Sequence, residues 1–196
     1  MSSAANAYAQ QRKYYLEFQS VHTEAQSVRF KALLTTFSQD FQSSWNSQTV
    51  FGRMDPIYTF QNTQRSITLA WKTISWDIDE ALGNLEKINK LARMLYPTYD
   101  ASPRVANDTI GVNALTIAKP PLMRVRFVNW MNNGEGKGLM AVIEGFSFEP
   151  DLNEEGVFDM PGMIVPKTIN CSCNIKVLHE YDLGWNDKGQ WLGNTE

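Results

Sequence analysis

The alternation of apolar and polar positions changes character once along the chain. Around residues 57–75 the period is two. Ile67, Leu69 and Trp71 alternate with Ser66, Thr68, Ala70 and Lys72, the pattern of a strand with one buried face. At Asp77 the repeat lengthens. Ile78, Ala81, Leu82, Leu85, Ile88, Leu91 and Leu95 now recur every three or four residues, which predicts a helix over 77–96. Asp77 followed by Glu80 reads as a capping box, and Asp79 adds a carboxylate at the positive end of the helix dipole. Lys87, Lys90 and Arg93 load the last turns, Glu86 stands four residues before Lys90, and Pro97 ends the element. An amphipathic helix fed directly by a strand is expected to lay its stripe on a sheet.

The other apolar runs are strand-like and short. Phe30, Leu34, Phe37, Phe41 and Trp45 fall among Ser, Asn and Gln, suggesting short strands joined by polar turns, with Gly52 and Pro56 punctuating the entry into the strand at 57–75. In 122–130, Met123, Val125 and Phe127 alternate with Arg124, Arg126 and Val128. With the return at 138–148, that segment reads as a hairpin around the turn 132–136. Gly145 inside the return suggests a bulge. Ile169, Cys171, Cys173, Ile175 and Val177 share one face of a last strand pair. The sum is a mainly β (α+β) fold. It is expected to be an antiparallel barrel or sandwich of about six to eight strands with one inserted amphipathic helix.

The segment 1–27 reads as an arm that orders by packing on something else, or equally as a first strand of the domain, because Tyr14, Tyr15, Leu16 and Phe18 are many aromatic and apolar groups for a disordered tail. A β domain over 28–180 follows, with a long connection at 98–121, and then a tail over 181–196 carrying Trp185 and Trp191. With six Trp, seven Tyr and ten Phe, the chain holds more large rings than one small core absorbs easily. Tyr14, Tyr15, Phe18, Trp185 and Trp191 are therefore the candidate assembly contacts, since rings outside a core commonly anchor interfaces.

A net charge of -3 gives no basic face for nucleic acid. No apolar run approaches the roughly 20 residues of a membrane span, and the first residues lack the apolar core of a signal peptide, so a cytosol-like site of synthesis is expected. Catalytic signals are weak. His22 and His179 have no partners at a recognisable spacing, and the glycines at 134, 136 and 138 precede no helix that could bind phosphate. The acidic stretch 151–159 lacks calcium-loop spacing, and Cys171 and Cys173 read as small buried hydrophobes. No enzyme activity, metal or cofactor is expected. The reading from a different class is a ligand-binding barrel or hydrolase, which would need two carboxylates converging in a closed pocket.

The order of elements carries a resemblance. FQNTQRSITLAWKTIS leads into WDIDEALGNLEKINKLARMLYPTY, then PLMRVRFVNW, GLMAVIEGFSFEPD and VPKTINCSCNIKVLHEYDLGW. Over roughly 50–185 the chain is similar to tail-tube-type proteins of contractile-tailed bacteriophages, most of all to those that initiate the tube at the baseplate. The resemblance implies a non-enzymatic virion protein forming a homo-hexameric ring between the central hub and the first tube ring. DNA would pass through the lumen without specific binding. It implies that strands of 122–148, or of 59–75, line the channel, with the helix outside. It also implies that the arm, the 100–119 loop and the Trp185/Trp191 tail touch neighbouring subunits or rings. The major tube subunit, or a ring protein of a contractile injection system, would carry the same signature. Arg124 and Arg126 should point away from such a lumen, because inward positive charge would retain phosphates.

Overall fold

The computed structural model describes residues 14–22, 26–31, 33–100, 116–132, 137–152, 156–180, 184–185 and 187–192. Its centre is a seven-stranded antiparallel sheet. It is built from β1 (Tyr15–Ser20), β2 (Ser27–Lys31), β3 (Leu34–Gln48), β4 (Ile57–Ile74), β7 (Met123–Phe127), β8 (Leu139–Asp151) and β11 (Thr168–Val177), in the order β2-β1-β7-β8-β11-β4-β3. Three two-stranded pieces accompany it: β5 (Thr98–Asp100) with β6 (Thr116–Lys119), β9 (Val157–Met160) with β10 (Met163–Pro166), and β12 (Gly184–Trp185) with β13 (Trp191–Leu192). The one helix among the described residues, α1 (Ile78–Met94), follows β4. The start of the expected arm (1–13), the middle of the long connection (101–115) and the hairpin turn at 133–136 lie outside the described residues.

The fold is β-rich α+β, and the sheet is open rather than a closed barrel, because β2 and β3 are both edges with no ladder between them. It is nevertheless strongly curled. β1 and β4 lie four strand positions apart, about 19 Å in a flat sheet. Yet the rings of Phe18 and Trp71 are 5.6 Å apart, and Phe30 of β2 reaches Trp71 at 5.5 Å. Trp71 fills the centre of the curl, with Phe146 of β8 stacked at 6.2 Å. Around it pack Leu16, Ile67, Leu69, Met123, Val125, Leu139, Ile169 and Ile175, all buried.

The helix agrees with its sequence signals, and its contacts show why the signals sit where they do. Asp77 caps it by accepting from the Ile78 amide at 2.7 Å, whereas Glu80 reaches one residue further back, to the Trp76 amide at 3.2 Å. Glu80 also pairs with Lys31 of β2. Lys90 donates to the Ser27 carbonyl at 3.2 Å, so this end of the helix is held to β2 by a cross-element bond. Ala81, Ile88, Leu91 and Met94 are buried, and α1 lies on β2 and β10, covering an edge of the sheet that would otherwise be bare.

Of the two readings of the segment to residue 27, the part that is described follows the first-strand one: β1 and the start of β2 belong to the main sheet, with Leu16, Phe18, Val28 and Phe30 in the core. The strand predicted to reach Trp130 stops at Phe127. There a tight turn over 128–130 reverses the chain, with Val128 at φ 45 and the amides of Trp130 and Met131 both donating to the Phe127 carbonyl. A positive φ on a β-branched residue is uncommon and held only by its surroundings. The predicted bulge is present, with Gly145 (φ 69) as the extra residue between Phe146↔Cys173 and Glu144↔Asn174.

Candidate assembly surface

β3 and β4 outgrow the body. β4 has 18 residues and β3 has 15, but β11 pairs with β4 only from Arg65 to Ile74. The remainder, residues 41–64, is a two-stranded ribbon that projects beyond the sheet and ends in the loop 49–56. Phe41 and Trp45 continue the side of β3 that holds the core residue Phe37, and Phe60 faces Trp45 with ring centroids 5.1 Å apart. Tyr58 follows on the same side. Past the body there is no core for this side to cover, so Phe41, Trp45, Tyr58 and Phe60 are each more than half exposed. At the ribbon's root Arg65 is buried, lies over the Phe41 ring at 5.2 Å and donates to Gln39 at 2.8 Å. Burial holds its guanidinium below its usual pKa.

The opposite, outward side of the four long strands β8-β11-β4-β3 is polar over most of its length, broken by Ala70, Ile74 and Val142. β3 presents Ser38, Asp40, Gln42 and Ser44, and β4 presents Asn62, Gln64, Ser66, Thr68, Ala70 and Lys72. β11 adds Asn170, Ser172, Asn174 and Lys176, and β8 adds Glu144, Ser147 and Glu149. Hydroxyl and amide groups bond across the strands, Ser147 with Ser172 at 2.7 Å and Thr68 with Asn174 at 3.2 Å, while Lys176 pairs with Glu144 at 2.9 Å. The β2-β1-β7 part of the same outward side is different in kind, with Arg29 paired to Glu17 at 2.8 Å and Arg124 gripping Glu180 at 2.6 and 3.1 Å. Arg126 stands opposite Glu17 in register. The two arginines thus belong to the ionic part, not to the polar carpet.

Both borders of the polar part lack a pairing strand among the described residues. β8 pairs with β7 only from Leu139 to Ala141, leaving Val142 onward open. The Trp130 turn covers the start of β3, with Trp130 against Phe37 at 4.9 Å and its carbonyl accepting from Gln39, and the rest of β3 is open. Each open border is eight or nine residues long, about 30 Å. Pro150, which has no amide, ends the usable part of β8.

The candidate contacts from sequence scatter. Phe18 is spent on the core, between Phe30 and Trp71, and is no surface anchor. Tyr15 is half-buried under Arg29, whose guanidinium lies 4.9 Å from the ring centroid. Tyr14 is exposed at the start of β1. Trp185 is exposed and pairs through its backbone with Trp191, whose side chain lies outside the described residues. The exposed ribbon aromatics were not among these candidates. Their signal was present in Phe41 and Trp45, large rings in a stretch with too few apolar partners to make a core.

Elsewhere among the described residues the titratable groups are scattered. His22 hydrogen-bonds to the Pro120 carbonyl at 2.7 Å, and burial pushes both the Cys171 and Cys173 thiols up to about 12. Among the described residues no three His, Cys, Asp or Glu side chains are placed to share a metal. The open cleft of about 640 Å³ at the ribbon's root is lined by Phe60, Arg65, Val177 and His179 among others, with no carboxylate among its described lining. Among those residues, too, no helix is long and apolar enough to cross a membrane. No family model and no curated protein matches the chain.

Proposed function

We propose that this protein is a structural subunit of a contractile tail, forming a hexameric ring at the baseplate that joins the central hub to the tail tube and initiates it. The observation that carries this reading is the four-stranded polar sheet with two open borders of matched length. Four antiparallel strands are an even number, so the border strand of one copy meets the opposite border of the next in antiparallel sense. Such contacts are head-to-tail and close into a ring when the rotation allows. The strand edges that are a liability in a lone chain then become its joints.

In the ring the Ser/Thr/Asn/Gln carpet lines the channel, with Asp40, Glu144 and Glu149 set against Lys72 and Lys176. A hydrated lining without arginine gives passing phosphates no bidentate hold. β3, β4, β8 and β11 line it, which keeps the 59–75 strand and the return strand of 122–148, leaves out β7, and adds β3 and β11. The helix and the ionic strands β7, β1 and β2 stand on other parts of the curl.

Negative-stain microscopy of the concentrated protein, alone and with the purified hub, tests the reading. Six-membered rings, free or on the hub, support it. Long hollow tubes move the assignment to the repeating subunit of such a tube. Monomers that form no ring even with the hub overturn it.

A further inference from the structure

Val128 is held in a strained conformation beside one border of the sheet. The β-branched and aromatic residues up to Trp130 favour a continued strand, yet β7 ends at Phe127 and Val128 takes φ 45. Backbone strain of this kind persists only where the surroundings enforce it. Here the Trp130 and Met131 amides both donate to the Phe127 carbonyl, at 3.0 and 3.1 Å, and the Met131 side chain is fully buried. The Trp130 ring lies 4.9 Å from that of Phe37, and its carbonyl accepts from Gln39, which Arg65 holds in turn at 2.8 Å. Phe37 and Gln39 belong to β3, and the open part of the β3 border begins at the next residue, Asp40.

An extended alternative is built into the register. Leu16 stands opposite Phe127, so a β7 that ran on would set Val128 opposite Tyr15 and Asn129 opposite the exposed Tyr14. Val128 would regain an ordinary extended φ and form a β-branched–aromatic pair with Tyr15. By the alternation of a strand, Trp130 would leave the core side, where it covers Phe37, for the outward side that carries Arg126. The exchange bares Phe37 and draws Met131 out of its buried site, which disfavours it in a lone chain. It becomes favourable once another ring takes the place of Trp130. The β8 border of a neighbouring copy carries such a ring. In antiparallel pairing its Glu149 end arrives at the Asp40 end of β3, with the exposed Phe148 on the core side.

We propose that the turn 128–131 is an autoinhibitory clasp on the β3 border, closed in the lone chain with Trp130 on Phe37, and opened when the β8 border of a second copy brings Phe148 to that place. β7 then extends to Trp130. The clasp rests on the ring reading for the identity of the neighbour, and it regulates the same joint. A partner shifts a two-state element only by its preference for one state, and Phe148 reaches Phe37 in the open state alone. The strain at Val128 keeps the closed state within reach of opening, while the Trp130 and Met131 contacts keep lone copies from joining prematurely.

Amide hydrogen exchange at Met131, followed by NMR in dilute protein, reads the opening of the turn without any ring. Light scattering on concentration, with microscopy and with the purified hub in parallel, reads assembly. V128G takes the positive φ without strain, and V128N takes it readily, so in both Met131 exchange and ring formation should slow by about fivefold or more. W130A should quicken both by a similar factor. F148S should leave Met131 exchange at the wild-type rate and slow ring formation. Met131 exchange unchanged in V128G and V128N, or W130A forming rings no faster than wild type, overturns the clasp. Absence of rings from wild type and every variant, even with the hub, while V128G and W130A still shift Met131 exchange in opposite directions, would sink the ring reading and leave the two states of the turn standing.

Discussion

Phe18 decides whether the first described strand is part of the folded unit or a docking element. Its ring is buried, 6.2 Å edge-on from Phe30 and 5.6 Å from Trp71, so it couples β1 and β2 to β4 across the interior of the curl. Replacing it with alanine removes one ring from a packed three-ring cluster and leaves a cavity the sheet cannot easily collapse. Truncations of this kind cost about 3–5 kcal/mol. Against a total stability of roughly 5–15 kcal/mol, that is a large share. With a urea slope near the upper end of the usual 1–3 kcal/mol/M, given the chain length, the midpoint should fall by about 1–2 M. Urea unfolding followed by tryptophan fluorescence reads this directly, since Trp71 reports on the same cluster. Y14A serves as the control. Tyr14 is exposed and should change stability by no more than about 0.5 kcal/mol. A Phe18→Ala midpoint within a few tenths of a molar of wild type would refute the packing account and return the segment to the status of an arm.

Two further outcomes rest on named contacts. Gly138 sits at φ 80, and a Cβ there would stand 2.9 Å from the Val125 carbonyl, so G138A should destabilise by more than about 1 kcal/mol, read as a lowered thermal midpoint. The two buried thiols predict alkaline instability. In the unfolded chain they ionise near 9, whereas in the fold burial holds them protonated to about 12, so the unfolded state sheds protons first and stability falls as pH rises between those values. The urea midpoint should drop more from pH 8 to pH 10 in wild type than in C171A/C173A, and an equal drop in both would contradict this.

The helix was legible in the sequence because its information is local: a stripe, a cap at Asp77 and a stop at Pro97 lie within about 20 residues. The buried faces of β4, β7 and β11 were legible for the same reason, since alternation needs only near neighbours. The sheet order was not. β2 and β3 are separated by two residues yet form opposite borders, because the chain turns a corner in a curled sheet whose other five strands come between them. Residues 38–48 looked like polar turns joining short strands. They are one long strand whose outward face meets water and whose core-side face has outrun the core, so neither face shows the expected alternation. Leu16 and Phe18, facing Phe30 and Val28 in register, carried a weak period-two signal that the surrounding Gln and Ser concealed. Val128 concealed the end of β7, because nothing local marks a β-branched residue as the site of a turn.

The central claim, that copies join border to border through β3 and β8, is tested most directly by cross-linking. Ser44→Cys on the outward side of β3 and Ser147→Cys on that of β8, combined in one chain with Gln42→Cys in a second version to allow for register, place thiols on the two borders. The native Cys171 and Cys173 are buried and stay silent. With a short bis-maleimide, under conditions that assemble the protein, the account predicts a ladder of bands on a denaturing gel that ends at six. A series that stops at two, or assembled particles that yield only monomers, would contradict it.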